Sequence, residues 1–135
     1  IGAVIRRRLD FIDKAEQDGE TPEARVKALI EQNKLNEEVI MDAIGVRDRD
    51  FVIVALAAMV HGSRVDIEKM FALRTPKPVV AVSWKAGLSM RTAFILQKEI
   101  AYIQPKELIY PRGGTDYPLD IKELEWQLEF LGLKK

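Results

Sequence analysis

The sequence contains no cysteine and a single histidine, His61. Without thiols the chain has no disulfide, no thiolate zinc site, no iron–sulfur cluster and no cysteine nucleophile. A zinc site would have to rest on carboxylates around one imidazole, an unusual donor set, so no metal or other cofactor is expected. Long hydrophobic runs are missing too. The longest, FVIVALAAMV from Phe51 to Val60, is about half the length of a membrane-spanning helix, and no signal-peptide pattern opens the chain. Neither sign of charge is in excess, with 21 Lys and Arg against 21 Asp and Glu, so no global field draws the protein to nucleic acid or anionic lipid. Aromatic residues are not interleaved with basic ones, which removes a platform for stacking bases. The GxxxxGK[ST] phosphate loop and the DxDxDG calcium loop are absent as well. These exclusions point to a cytoplasmic protein without membrane span or nucleic-acid partner.

What the chain does have is regular punctuation. Its 135 residues suit a single helical domain, 1–135, able to bury a core without staples. Glycine and proline divide it into segments of helical length, and most divisions carry a helix-start signal. The pattern predicts seven or eight helices. The first covers residues 2–18, with Ile5, Leu9 and Ile12 on one face, Arg6, Arg7 and Arg8 around the other, and Gly19 at its end. Thr21-Pro22 then offers a capping hydroxyl followed by proline at the first helical position; Val26, Leu29 and Ile30 form the inward stripe. Asn36 and Asp48 cap the next two helices, and Gly62 is expected to supply the left-handed exit after His61. Ser63 and Asp66 open the following helix, Thr75-Pro76-Lys77-Pro78 repeats the Thr-Pro device, and Gly87 ends the helix it starts. Ser89 starts another with Met90, Ala93, Phe94, Gln97 and Ala101 on one side, and residues 105–109 make a single turn. Asp120 and Glu123 form a capping box for the last helix, whose Leu124, Leu128 and Leu131 point inward. No segment alternates with a two-residue period, so the fold class is all-α, although 51–55 and 79–82 are rich in β-branched and aromatic residues.

Sliding the chain by 26 positions lays VIMDAIGVRDRDFVIVALAA on VDIEKMFALRTPKPVVAVSW, with Val39 on Val65, Asp42 on Glu68 and Ile53-Val54-Ala55 on Val79-Val80-Ala81. Each unit is a short helix, a charged or proline-marked turn and a longer apolar helix, which cannot cover its own apolar face and must stack on neighbours. The expected architecture is an antiparallel helical array, either a HEAT-like α-solenoid with residues 36–103 as its repeat core or an irregular helical bundle.

The stretches LIEQNKLNEEVIMDAIGVRDRDFVIVALAAM, WKAGLSMRTAFILQKE, PRGGTDYPL and WQLEFLG resemble the bacterial family named domain of unknown function 2336. The resemblance is placed from about Arg25 to the end, which makes the chain look like the C-terminal portion of a longer member, consistent with its opening on Ile1 rather than Met. It implies a cytoplasmic helical module and carries no catalytic residue, substrate or cofactor onto these positions.

The candidate site residues follow from local chemistry. His61, at the end of the apolar helix, reads as a capping side chain that favours the helix C-terminus when protonated; a phosphotransfer domain would instead present it exposed on a helix flank. The loop PRGGTDYPLD (111–120) reads as a stiff elbow that aims the last helix, with Gly113-Gly114 free to take left-handed conformations and Asp116 bonding back to its turn. Its functional alternative is a recognition surface presenting Arg112, Asp116 and Tyr117. Trp84 follows a buried-looking run and reads as core. Trp126 lies one position off the inward stripe, at an edge, where an indole serves as an interface anchor. Carboxylates are spaced as solvated helix faces. With no nucleophile beside a base, no metal spacing and no phosphate loop, the expected function is a non-enzymatic protein-interaction or signalling-scaffold module, with a protein partner or a second copy of itself. The alternatives are a phosphotransfer domain using His61 and an enzyme completed by a missing N-terminal portion.

Overall fold

The computed structural model describes residues 21–113 and 116–133; the helix expected over 2–18, its arginine triplet and Gly114 lie outside them. The described residues form seven α-helices: α1 (Pro22–Glu31), α2 (Glu37–Gly45), α3 (Arg49–Met59), α4 (Arg64–Ala72), α5 (Pro76–Lys85), α6 (Met90–Glu99) and α7 (Ile121–Phe130), with a 3-10 turn at Pro105–Glu107 between the last two. The fold is all-α. Among the described residues the only β-type pairing is one isolated bridge, Arg112 with Asp116, and the β-branched stretches at 51–55 and 79–82 are both helical.

Helix starts follow one rule. The side chain before the first helical residue accepts a hydrogen bond from the N–H of the third: Thr21 from Ala24, Asn36 from Val39, Asp48 from Phe51, Ser63 from Asp66, Ser89 from Thr92 and Asp120 from Glu123, all at 2.8–3.3 Å. Thr75 is the exception and makes no side-chain cap bond. The reason is covalent: the third residue of α5 is Pro78, which has no N–H to donate. The expected capping box at α7 is half present, because the Glu123 carboxylate turns to Lys77 Nζ, 3.0 Å away.

Helix ends close through a left-handed residue, and most of these are not glycine: Asn33, Arg47, His61, Arg74 and Tyr102 have φ between 53° and 58°. After α3 the expectation fails in an instructive way. His61, not Gly62, takes the left-handed conformation, and Gly62 N–H closes the loop onto Ala57 O at 2.8 Å. Gly62 is small for a different reason, since a Cβ there would stand 2.5 Å from Leu133 Cδ2.

The helices recur with a fixed step. α1, α3 and α5 begin at 22, 49 and 76, each 27 residues after the last, and α2 and α4 begin at 37 and 64 with the same step. The caps Asn36 and Ser63 and the buried residues Ile40 and Ile67, Ala43 and Met70, Ile44 and Phe71 share it. The 26-residue slide is therefore one residue short: it paired Val39 with Val65, which stand third and second in their helices.

The chain divides into two compact units, Ile1–Ala55 and Leu56–Lys135, and the division falls inside α3. In the first unit Val26, Ile40, Ala43, Ile44 and residues 51–55 are buried. Leu29 is half-buried and Ile30 is 51% exposed, so the α1 stripe reduces to Val26. Asp48 joins the helices here: one carboxylate oxygen caps α3 and the other accepts from Arg25 Nη1 at 3.3 Å, while that guanidinium lies 4.7 Å from the Phe51 ring centroid.

In the second unit α5 packs against α4, α6 and α7. Pro78 to Ser83 are all buried, and the Ser83 hydroxyl is satisfied by donating to Val79 O at 2.8 Å. α6 buries Met90, Thr92, Ala93, Leu96 and Gln97; Ala101 beyond it is buried and Phe94 only half-buried. α7 buries Leu124, Gln127 and Leu128, whereas Leu131 is half-buried and Leu133 takes the inward place expected of it.

Asp48→Ala should lower unfolding stability by about 1–2 kcal/mol, because cap and ion pair disappear together. Asp48→Asn keeps a capping oxygen and should recover most of that loss, as read from urea midpoints of the two variants.

Candidate interaction surface

The segment between α6 and α7 is fastened by polar groups. Gln97, fully buried in α6, uses both ends of its amide on one residue: Nε2 donates to Ile109 O at 3.0 Å and Oε1 accepts from Ile109 N–H at 2.8 Å. This pairing satisfies the side chain completely along one edge and fixes the chain where no helix could. Tyr110 follows, its ring 5.0 Å from that of Phe94. Farther on, the Arg112 and Asp116 backbones bond to each other at 2.7 and 2.9 Å, and Arg112 Nη2 donates to Pro118 O at 2.8 Å. Tyr117 is half-buried, and its hydroxyl donates to Leu88 O at 2.7 Å.

Arg112, Asp116 and Tyr117 therefore sit together on one loop, each engaged in holding it. Arg112 and Asp116 are exposed, but the bonds above spend the guanidinium and the phenol on neighbouring carbonyls. The Asp116 link runs through its backbone rather than its carboxylate. His61 is exposed, yet it occupies the left-handed turn after α3 rather than a helix flank. It is not near the loop in sequence, and no described contact joins them.

Trp126 is the sequence candidate that projects outward. It is 55% exposed, and its ring stacks on Phe130 one turn later, itself 65% exposed, with centroids 5.7 Å apart and planes 20° apart. Spacing of four along α7 forces this proximity. Opposite stands Leu73, 49% exposed, at the end of α4. Two hollows flank Phe130. One, of about 460 Å³, lies between Trp126 and the start of α5 at Pro76 and Pro78; the other, of about 500 Å³, is bounded by Asp66, Lys69 and Leu131; Leu73 borders both. Phe130 and Leu73 were the residues sequence reasoning missed. The i, i+4 relation of Phe130 to Trp126 was the available signal for the first; Leu73 had none, since its partner across the hollow is distant in sequence.

Trp84, expected in the core, is only half-buried. It lines a separate cleft of about 560 Å³ together with Lys85, Glu125, Glu129 and the Gly132-Leu133 end of α7. Ser83 occupies the inward position instead, which its internally bonded hydroxyl makes affordable. Among the described residues no group of three or more histidines and carboxylates is placed to hold a metal ion, and no helix is long and apolar enough to cross a membrane.

The model of the family described as "Uncharacterised protein conserved in bacteria (DUF2336)" matches residues 2–105. The chain belongs to this family. The matched stretch corrects the placement of the resemblance: it takes in residues 2–24, which were left out, and stops before the loop at 111–118 and the α7 tail, which were thought most specific. Within this chain the family region is thus the N-terminal part, α1 to α6, and the exposed aromatic pair of α7 lies beyond it. No curated protein and no solved structure matches the chain.

Gln97→Leu should cost about 1–3 kcal/mol, because it strands the buried-side N–H and C=O of Ile109. Hydrogen exchange at the Ile109 amide should accelerate more than at amides of α5; uniform acceleration would mean that Gln97 does not pin the segment.

Proposed function

We propose that this protein is a non-enzymatic protein-interaction module whose contact surface is the outer face of α7, centred on Trp126 and Phe130. One observation carries the reading: two stacked aromatic rings and Leu73 stand exposed around apolar hollows. Contiguous exposed apolar surface is costly in water and marks binding surfaces, and a Trp at the centre of such a patch is the commonest kind of anchor. The recurring helix step supports a HEAT-like stacking of helical pairs beneath this surface, and a scaffold role in the bacterial cytoplasm agrees with the balanced charge.

The phosphotransfer alternative through His61 has less to support it. Its ring is exposed, but on a turn where the backbone conformation serves to end α3, and no described residue acts on it as a base or cradle. An enzyme built around Arg112 and Asp116 would need groups free to face a substrate, whereas the Arg112 guanidinium holds Pro118 O.

Affinity capture from lysate of a bacterium encoding the chain provides the test. Proteins retained by the wild type should be lost with Trp126→Ala or Phe130→Ala, each weakening binding by roughly thirtyfold as an anchor of about 2 kcal/mol requires. His61→Gln should retain them all. Equal retention by the aromatic variants, with unchanged circular dichroism, would remove α7 as the contact surface.

A further inference from the structure

Resting on the reading of α7 as a contact surface, we propose that its occupant is a second copy of the same chain, packed about a two-fold axis. Phe130 is a ridge with a hollow on each side, and those hollows are walled by Leu73, Pro76 and Pro78 from α4 and α5. A protruding ring beside a recess it cannot itself fill is the shape an isologous contact needs, since each ridge enters the other copy's recess.

The charges around the face favour the same occupant. Its rim carries Asp66 and Glu123 against Lys69 and Lys77, the last two of these helices being tied by the Lys77–Glu123 pair at 3.0 Å. A uniformly acidic or basic partner would meet as many like charges as unlike ones. A second copy turned by 180° meets a rim with both signs, so each sign has an opposite to face. Nor does long-range repulsion oppose the approach, because the chain's 21 cationic residues balance its 21 anionic ones. The two-fold arrangement also covers all three exposed apolar side chains, Leu73, Trp126 and Phe130, in one contact.

Sedimentation equilibrium of the 135-residue chain across the micromolar range provides the test, combined with tryptophan emission in a Trp84→Phe background that leaves Trp126 as sole reporter. The expected result is a rise from monomer to dimer mass with a matching blue shift of Trp126. Phe130→Asp should weaken association by about a thousandfold, because the axis counts each substitution twice, and Leu73→Ser on the opposite wall should do the same. Both positions are exposed, so the helical signal should persist. A wild type that stays monomeric throughout overturns the proposal, and so does a dimer that survives both substitutions. If the monomer still captures other proteins in a Trp126-dependent manner, the contact-surface reading stands and only the identity of its occupant falls.

Discussion

The second unit depends on the complete burial of α5. Six consecutive residues, Pro78 to Ser83, are shut off from solvent, so this helix has no face to offer water and must be covered on every side. α4 and α6 come from its immediate chain neighbours and cannot complete the cover; α7 does so from more than thirty residues away. Removing that cover would expose Val79, Val80 and Val82, at about 1.5 kcal/mol or more for each side chain. The loop that delivers α7 is therefore as much a part of the core as the valines are.

This explains why the loop is built as it is. A flexible connection would let α7 drift, so the chain is pinned at Ile109 by Gln97, at Tyr117 by Leu88 O and at Pro118 by Arg112. Glycine at 113 takes φ of 59° and lets the Arg112–Asp116 bridge close. Polar side chains that elsewhere would mark a binding loop are used here to set the angle of a helix. The surface available for partners then moves to the far side of that helix, where Trp126 and Phe130 are left over after Leu124, Gln127 and Leu128 have turned inward.

Much of the fold was legible because its signals are local. A capping side chain and the N–H three residues on are neighbours by covalent geometry, so Thr21, Asn36, Asp48, Ser63, Ser89 and Asp120 could be read in place. The failures all involve distant partners. Gly62 looked like a helix terminator, but its small size answers to Leu133. Gln97 looked like one more member of a helix face, and nothing nearby announces Ile109. Trp84 was assigned to the core because bulk usually wins there, yet Ser83 next to it could go in once Val79 O had taken its proton. The repeat was found one residue out of step, since hydrophobic identity aligns easily while caps, which carry the register, do not resemble one another. Of the site, the edge position of Trp126 was visible in the stripe; the hollows beside it exist only after α4, α5 and α7 have met.

Five helix ends are turned by Asn33, Arg47, His61, Arg74 and Tyr102 rather than by glycine. Each carries a small conformational penalty that a missing Cβ would relieve, and each keeps a long or polar side chain at a bend. These corners thus hold a reserve: the path of the chain there is dictated by hydrogen-bond closure of the preceding helix, leaving the side chain at liberty to change character. A designer could trade them singly for glycine to gain rigidity, or decorate them with new chemistry, without redirecting any helix.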